Sequence, residues 1–456
     1  MAAIITNTLK KQVADLLLTE ILDVTDSNEY YIGIGKSDLY YDDSDTTITP
    51  INSLREERIA RANLQSVKKV VAGGASFVIT RTNWSSGGIY SGYSDTATTD
   101  YPYYVITDAN EVYICLQAGK TSAGANRTST VKPDYSSAGV LATKAFKTAD
   151  GYTWKYLYTL TTVTANNFLS STYMPTQFIA ESADDGTLTP FETVQAQVKE
   201  AATPGQILGV NITNGGTGYT SAPTVTFRGN GNSAQATAFV SGGTIVKIEM
   251  ANESAGLGSG YNYASVHFSG GGGTGAAARP IIGPSLGIGY DPRDDLKSTS
   301  IMLTAKPDGD EGGDFLIDNQ DFRQIVLFKN LELKDSSARY TDATGKALRS
   351  LLLDTGHTIT VDTVLSGDSA DAFVDQVDGD VIYYHQNEKL NFGTFANEAV
   401  TDDDGGSGTI LQATDSGGRG GAEVDAFSGD VLYIENRARV IRTSAQAEDI
   451  KIVLSF

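Results

Sequence analysis

Apolar residues near the start of the chain recur at intervals of three and four, which is typical of an amphipathic helix. The residues concerned are Leu9, Val13, Leu16, Leu17 and Ile21. Asn7 or Thr8 can cap this helix. A second helix is predicted from Ser53 to about Val70, and a short third one from Thr344 to Leu353. Long runs of strong helix formers are otherwise scarce, so helices are expected to be a minor part of the fold.

Most other apolar residues form short runs that alternate with polar residues, which predicts β-strands. The predicted strands cover residues 30–35, 76–80, 103–107, 111–117, 152–161, 301–303, 324–329, 358–364, 381–384, 431–435 and 450–456. Gly-, Ser- and Asp-rich stretches at 85–100, 118–144 and 402–421 predict exposed loops. We therefore expect a mainly β fold with a few helices (α+β), built from several sandwich-like domains.

Residues 205–282 contain two copies of one pattern: a strand, a Gly-Tyr turn, a strand, a Gly-rich turn and a strand. Gly218-Tyr219 in the first copy and Gly260-Tyr261 in the second are 42 residues apart. Repetition at a fixed period indicates a duplicated module. The expected organisation is an N-terminal region at 1–200, an inserted module at 205–282 that packs as a lobe of its own, and a C-terminal β region at 283–456.

Charge and composition restrict the possible partners. The 456 residues include 55 acidic and 34 basic side chains, a net charge of -21. Such a chain repels the phosphates of nucleic acids and anionic membrane surfaces. The sequence has no run of about 18 apolar residues, and its start lacks the pattern of a signal peptide. We expect a protein that is made in the cytoplasm and binds neither nucleic acid nor membrane.

Motifs for catalysis are weak. Gly35-Lys36-Ser37 is similar to the end of a phosphate-binding loop, but Tyr30 stands where that motif needs a glycine, and a poor helix start follows. The three histidines are His267, His357 and His385. None lies within four residues of another His or Cys, so zinc-binding spacing is absent. We predict no catalytic residue, no cofactor and no metal ligand, and therefore no enzyme.

Acidic clusters and one cysteine are the remaining candidates for chemistry. Asp42–Asp45, Asp308–Glu311 and Asp402–Asp404 offer oxygen ligands for weak calcium binding, but none has the spacing of a helix-loop-helix calcium site. Solvated loops are the simpler interpretation. Cys115 lies in the apolar run Val112–Leu116, which favours a buried thiol over a nucleophile.

The end of the chain carries a resemblance to a known family. Gly429–Arg437, followed by Ile441 and Glu448–Phe456, closely resembles the C-terminus of the baseplate wedge subunit encoded by gene eight in T-even-type contractile-tail phages. Four other segments resemble members of that family, the last of them from marine cyanobacterial phages: Tyr31–Ser37, Asp150–Tyr158, Asp321–Ile325 and Tyr383–Asn387. The resemblance covers roughly residues 1–200 and 283–456, and the module at 205–282 departs from it.

The resemblance implies a structural subunit of the virion, in the tail baseplate, without a catalytic residue. It implies a homodimer that docks on other baseplate wedge proteins and helps the baseplate to change shape when the tail contracts. The candidate interface residues are Glu435, Asn436, Arg437, Trp154 and Tyr156. Glu435 and Arg437 follow a predicted strand, where they either pin a turn or reach a partner. Trp154 and Tyr156 share a strand face with Tyr158, either as core or as interface anchors.

Two other functions fit parts of the sequence. The module at 205–282 is compatible with a carbohydrate-binding tail module at the host surface, because glycine turns and exposed tyrosines can stack on sugars. A depolymerase would need two facing carboxylates, which an acidic chain supplies by chance. Glycan binding by the module, or loss of polysaccharide viscosity, would distinguish these functions from assembly.

Overall fold

The computed structural model describes residues 3–23, 28–40, 48–96, 99–180, 186–251, 256–306, 321–413, 421–441 and 448–456. In this part of the chain the fold is mainly β, with five helices and 29 strands, which confirms the predicted α+β class. The chain divides into two compact units. The first unit comprises residues 1–15, 76–302 and 454–456, and the second comprises residues 16–75 and 303–453.

The helices are α1 (Asn7–Leu22), α2 (Leu54–Ala62), α3 (Thr162–Phe168), α4 (Pro190–Glu200) and α5 (Pro292–Asp295). The first helix is confirmed. The second begins after Ser53, whose hydroxyl accepts the N–H of Glu56. It ends at Ala62 rather than near Val70, because residues 64–69 form a strand with neighbours on both sides. Sheet pairing there outweighs the weaker preference for helix.

The helix predicted at 344–353 is wrong, since this stretch forms two strands, Thr344–Lys346 and Arg349–Leu353. Leu351 and Leu353 are buried, whereas Leu352 between them is only half-buried. Alternation at period two is the burial pattern of a strand. The spacing of the leucines is compatible with the period of a helix and with the period of a strand, and the structure shows the strand.

The first unit holds most of the helical and aromatic residues. Its strands are β3 (Ala75–Thr80), β4 (Tyr104–Ile106), β5 (Glu111–Gln117), β6 (Ala145–Lys147), β7 (Thr153–Thr159), β8 (Tyr173–Pro175), β9 (Ile207–Thr217), β10 (Thr224–Gly229), β11 (Asn232–Ala234), β12 (Ala236–Ser241), β13 (Thr244–Met250), β14 (Leu257–Ser259), β15 (Ala264–Ser269) and β16 (Thr274–Ile282). The sheet β4-β5-β7-β6 forms its centre, and β7 is buried along its whole length.

The duplicated module has the strands that the repeat predicts, and its two copies pair with each other. β10 of the first copy runs antiparallel to β15 of the second, from Thr224 opposite Ser269 to Gly229 opposite Ala264. Two further strand pairs also join one copy to the other: β9 pairs with β16, and β11 pairs with β14. Both Gly-Tyr turns have a glycine at positive φ, 78° at Gly218 and 75° at Gly260.

Each tyrosine of the Gly-Tyr turns packs against a glycine of the other copy. A Cβ added to Gly273 would lie 2.4 Å from the Tyr219 ring, and one added to Gly231 would lie 2.4 Å from the Tyr261 ring. Both tyrosines are buried. The two copies therefore interlock, and neither has a complete core without the other.

The module is not a self-contained lobe, contrary to expectation. Besides a small core around Tyr219, it contributes to the main hydrophobic cluster of the first unit. Ile207, Leu208 and Leu257 lie in the same buried cluster as Ile114 of β5 and Leu157 of β7. The high glycine content distinguishes the module in sequence. Its apolar side chains nevertheless pack against the other residues of the first unit.

The second unit contains a five-stranded sheet and a closed barrel. Its strands are β1 (Tyr30–Gly35), β2 (Leu64–Lys69), β18 (Phe322–Lys329), β19 (Glu332–Leu333), β20 (Thr344–Lys346), β21 (Arg349–Leu353), β22 (Val364–Ser366), β23 (Asp371–Asp378), β24 (Val381–His385), β25 (Ala399–Asp402), β26 (Ser407–Gln412), β27 (Val424–Asp425) and β28 (Asp430–Val440). The sheet order is β20-β2-β1-β18-β28, and the barrel order is β21-β24-β23-β22-β25-β26. Barrel closure is a feature that hydrophobic alternation alone did not reveal.

The C-terminal segment forms β29 (Ile450–Ser455), which pairs with β17 (Ser300–Ala305). Ile450 and Ile452 are buried, and Phe456 is half-buried, with its N–H donating to the carbonyl of Thr299 at 3.3 Å. A terminal segment is ordered when a sheet holds it. The predicted strand at 450–456 is present and paired.

Candidate functional site

Glu435, Asn436 and Arg437 lie within strand β28, not in a turn after it as the sequence suggested. The strand continues to Val440 because its pairing with β18 extends from Lys329 opposite Asp430 to Phe322 opposite Val440. The charged side chains therefore alternate along a strand instead of closing a turn. Backbone pairing, which the sequence pattern does not show, sets this longer strand.

Glu435 and Arg437 form an ion pair on one face of β28. Arg437 Nη2 lies 3.0 Å from Glu435 Oε1, and the hydroxyl of Tyr433 donates to Glu435 Oε2 at 3.0 Å. The side chain of Arg437 keeps 39% of its surface exposed. Tyr433, Glu435 and Arg437 thus line one accessible face of the strand, as residues two apart should.

Asn436 projects from the other face and links neighbouring segments. Its Oδ1 accepts a hydrogen bond from Gln324 at 2.7 Å, and its Nδ2 donates to the carbonyl of Ile48 at 2.9 Å. The hydroxyl of Tyr40 accepts the N–H of Arg437 at 2.9 Å. These bonds hold the middle of β28 in one position within the second unit.

Trp154 and Tyr156 are fully buried within the chain, so their side chains are inaccessible to a partner. They lie in an aromatic cluster with Tyr113 and Tyr152, in which Trp154 stacks on Tyr152 with ring centroids 5.7 Å apart. Both sides of β7 are covered by other parts of the first unit. We therefore count these two residues as core and no longer as interface candidates.

Tyr158 does not share the cluster of Trp154 and Tyr156, although period two predicts a common face. The pairing of β5 with β7 shifts between Val112 opposite Tyr158 and Tyr113 opposite Tyr156. Leu157 is the extra residue of this bulge, and a bulge turns the following side chain to the other side. Tyr158 consequently lies in the main cluster of the first unit.

A buried polar cluster around His385 brings two carboxylates and an imidazole together in the interior of the second unit. Nδ1 of His385 lies 2.8 Å from Oδ2 of Asp375, and Nε2 lies 3.8 Å from Oδ1 of Asp38. The amide of Asn387 is 3.2 Å from Nε2 and donates to Asn63 Oδ1 at 3.0 Å. All five residues are buried. The cluster joins β23 and β24 of the barrel to the segment after β1.

The two carboxylates hold the imidazole in its charged form. Burial alone would lower the pKa of His385, but the charge of Asp375, its hydrogen bond and the nearby Asp38 together raise that pKa to about 10. Burial alone would raise the pKa of Asp38, but His385, Lys36 and Lys389 hold it well below its usual range. The imidazole is therefore a fixed cation between two anions, which suits a structural role better than proton transfer.

The Gly35-Lys36-Ser37 segment belongs to this cluster and is not arranged to bind phosphate. Lys36 Nζ is buried, 3.4 Å from Asp38 Oδ1 and 5.6 Å from the centre of the Tyr40 ring. The hydroxyl of Ser37 donates to Asp375 Oδ1 at 2.5 Å. Both side chains are thus committed to contacts within the protein.

A cavity of about 540 Å³ lies beside the cluster within the second unit. Three basic residues contribute positive charge to its wall, and four acidic residues contribute negative charge: Arg323, Lys389 and Arg439, and Asp38, Asp362, Asp371 and Asp403. Arg439 is already paired with Asp321. The opposite charges largely compensate each other, so the wall favours neither an anion nor a cation.

The other candidate residues have local structural partners. Asp402 and Asp403 accept backbone N–H groups of Thr360 and Val364, at 3.1 Å and 2.8 Å. The remaining acidic clusters, at 42–45 and 308–311, lie outside the described residues. Where the structure describes the chain, no group of three or more His, Cys, Asp or Glu residues is arranged to hold a metal ion.

The histidines outside the cluster and the cysteine also have local contacts. His267 lies 3.0 Å from the hydroxyl of Ser265, and His357 lies 3.0 Å from the carbonyl of Gly379. Cys115 is fully buried, and burial raises the pKa of its thiol well above the usual range. A thiol in this state is a poor nucleophile, as its apolar sequence context indicated.

Sequence reasoning missed the cluster because its members are far apart in the chain. The one local signal is the run His385-Gln386-Asn387 at the end of an apolar strand, in which all three polar residues are buried. Buried polar residues in succession need partners, and the partners lie near residues 38, 63 and 375. Neither their identity nor their distance can be deduced from spacing.

Three distant segments of the sequence meet in one sheet of the second unit. β1, β18 and β28 are consecutive neighbours, with Ile34 opposite Ile325 and Ile325 opposite Glu435. No family model matches the chain, and no curated protein matches it significantly. Among the described residues, no helix is long and apolar enough to cross a membrane.

Proposed function

We propose that this chain is a structural subunit of a contractile phage tail, in the wedge of the baseplate, and acts through assembly rather than catalysis. As such a subunit it would pair with a second copy, dock on other wedge proteins and move with them when the tail contracts. It would be assembled in the host cytoplasm and remain in the virion. Neither nucleic acid nor membrane is a partner in this proposal.

One observation carries the proposal. Three of the segments that resemble the gene-eight wedge family are far apart in sequence, yet Tyr31–Gly35, Phe322–Ile325 and Asp430–Arg437 form adjacent strands of one sheet. The segments Asp150–Tyr158 and Glu448–Phe456 contribute strands to other sheets. Tyr383–Asn387 contributes His385 and Asn387 to the cluster that holds the segment after the first of these strands. Chance likenesses of short segments would have no reason to converge in this way.

The surface of the described chain agrees with an assembly role. Glu435 and Arg437 are accessible on a strand at the edge of that sheet. The interior charges are compensated within the protein, and the cavity beside them has a wall of mixed charge. Rigid strands with accessible, alternating charges suit contacts that fix orientation between subunits.

The two tyrosines that suggested glycan binding are buried in the structure. Tyr219 and Tyr261 are 6% and 3% exposed, so neither ring is available to stack on a sugar. Tyr263 is exposed, but a single ring on a surface is ordinary. Tyr219 and Tyr261 therefore do not form a sugar-stacking surface, and a glycan array on the full chain tests this alternative.

The proposal is tested on phage particles whose genome encodes the chain. Gold-labelled antibody should mark the baseplate end of the contractile tail, and adjacent genes should encode tail-sheath or other baseplate proteins. Label on fibre tips together with glycan-array binding would support the alternative. Particles that carry no label, from a genome without tail genes next to this one, would refute the proposal.

A further inference from the structure

β28 is a long edge strand with one side available for pairing. It has 11 residues, and it pairs with β18 on one side only in the described part of the chain. All its residues are half-buried or exposed, whereas residues 322–328 of β18 are buried. Proteins protect such edges with proline, short length, charged side chains or bulges; β28 is long and lacks proline, and it carries charges and two register shifts.

The pairing of β28 with β18 is irregular. The register with β18 shifts twice, between Phe322 and Gln324 and between Leu327 and Phe328. In the first shift, three residues of β28 stand opposite Arg323 alone. One of these residues, Arg437, has both its N–H and its carbonyl bonded to the hydroxyl of Tyr40, so this shift is filled from within the chain. The outer edge of β28 is therefore the side that an additional strand can join.

We propose that the edge of β28 pairs antiparallel with β28 of a second copy of this chain, about a two-fold axis at Asn436. This inference rests on the proposed function, because it specifies where the assembly subunit dimerises. A two-fold contact requires a surface that complements itself. The order of residues along β28 meets that requirement.

The charged face of β28 is self-complementary about Asn436. Antiparallel pairing places Glu435 opposite Arg437 of the second copy, and Arg437 opposite its Glu435. Opposite charges across strands stabilise a pair, and like charges destabilise it. The existing Glu435–Arg437 pair would become part of a four-residue network of alternating sign.

Apolar residues also lie opposite one another about this axis. Ile434 would be opposite Ala438 and Leu432 opposite Val440, while the register shifts with β18 interrupt the alternation of faces at Leu432 and between Arg437 and Arg439. Leu432 is 45% exposed in the single chain, and Val440 is half-buried. Pairing would remove this apolar surface from water, which favours association. A shift by one residue would place Glu435 opposite Asn436 or Ala438 instead of Arg437, so the charge pairing specifies the register.

The first experiment exchanges charges and measures dimer dissociation of the full chain. Glu435→Arg and Arg437→Glu each place like charges opposite one another, so each should raise the dimer Kd about tenfold or more. The double variant Glu435→Arg/Arg437→Glu restores opposite signs and should return Kd to within about threefold of wild type. Circular dichroism of each variant checks that the fold is retained.

The outcomes separate this inference from the proposed function. A wild-type chain that is monomeric at micromolar concentration would contradict both. A wild-type dimer that is insensitive to all three variants would contradict only the β28 contact and leave assembly through another surface. If the double variant raises the dimer Kd as much as the single variants do, the β28 contact would also be contradicted. Restored charge pairing should have restored the affinity.

A second experiment tests the axis without altering charge. Residues opposite each other in an antiparallel pair have Cα atoms about 4.5–5.5 Å apart, which is within reach of a disulfide. Asn436→Cys should therefore cross-link to itself under mild oxidation. Leu432→Cys is the matched control, because it lies away from the axis and should not. Cys115 is buried and does not compete. Equal cross-linking of both variants, or of neither, would contradict the proposed register.

Discussion

His385 and Asp375 form a buried ion pair, with Nδ1 of the imidazole 2.8 Å from Oδ2 of the carboxylate. His385 is held in its charged form by this contact and by Asp38, which raises its pKa from 6.5 to about 10. Lys36 and Lys389 both face the carboxylate of Asp38. Contacts between charged groups thus stabilise the second unit, and these contacts depend on the protonation of the His385 imidazole.

The stability of the second unit should fall as pH rises from 6.5 to 10. In this range the folded chain keeps a proton on His385 that the unfolded chain loses, so its contribution is complete below 6.5 and is lost through 10. The slope from this one group is up to about 1.4 kcal/mol per pH unit. Hydrogen exchange of peptides from residues 371–390, measured across this range, reports the change.

The control for this prediction replaces the histidines one at a time. His385→Gln should lower stability near neutral pH and remove most of the slope, whereas His267→Gln, at an exposed position, should leave both unchanged. If the stability of His385→Gln still falls with rising pH, other groups cause the pH dependence. The His385 cluster would then not stabilise the second unit.

Ile452 of β29 should be needed for stability, whereas its neighbour Lys451 should not. Ile452 is 1% exposed, and truncation of a buried isoleucine to alanine costs about 2–5 kcal/mol. Lys451 pairs with Asp449 near the surface, so Lys451→Ala should cost little. Thermal unfolding of both variants checks this. Equal stability of the two variants would show that β29 is loosely held.

The larger prediction on the same segment is that truncation after Asp449 abolishes soluble expression. It removes the buried side chains of Ile450 and Ile452 and leaves β17 with an open edge. The measurement is the soluble fraction of the truncated chain beside Lys451→Ala. A soluble truncated chain with wild-type stability would contradict the role assigned to β29.

The strands were predicted well where apolar and polar residues alternate. Tyr30–Gly35, Glu111–Gln117 and Ile450–Ser455 were found within a residue or two, because burial on a strand leaves a local mark. Helix ends were predicted less well. The charged stretch after Ser53 keeps helical spacing beyond Ala62, where the helix ends. There the pairing of residues 64–69 with two other strands decides the conformation, and such pairing is not visible locally.

The candidate site was predicted only in part, for the same physical reason. Glu435 and Arg437 were identified from the sequence and are accessible and paired, although on a strand. The link between His385 and Asp38 joins residues about 350 positions apart. A hydrogen bond at that separation leaves no periodic signal, and neither does the closure of the barrel.

Deletion of the duplicated module should unfold the first unit rather than release an independent lobe. Removing residues 205–282 takes Leu208 and Leu257 out of the cluster that holds Ile114 and Leu157. The apolar surface left behind would be exposed to water, at roughly 25 cal/mol for each Å². The soluble yield and the fluorescence of the deleted chain measure the effect. A soluble chain with wild-type tryptophan emission would show that the module is an independent insertion.

The interlocked glycines of the module give the most specific prediction for stability. Gly231→Ala would force a methyl group to 2.4 Å from the Tyr261 ring and to 2.6 Å from the carbonyl of Ser259. Overpacking of this kind costs about 1–3 kcal/mol. Gly209→Ala is the matched control, because its nearest neighbour would be 3.7 Å away.

Tryptophan fluorescence during chemical unfolding can measure this cost, because the chain's 2 tryptophans, Trp84 and Trp154, both lie in the first unit. Gly273→Ala, the equivalent change against Tyr219, should also destabilise, but less, because Tyr219 belongs to the small core of the module whereas Tyr261 belongs to the main cluster. Unfolding midpoints in the order Gly209→Ala, Gly273→Ala, Gly231→Ala, from highest to lowest, are expected. A midpoint for Gly231→Ala equal to that of Gly209→Ala would mean that Tyr261 moves aside freely, and the two copies would then not interlock.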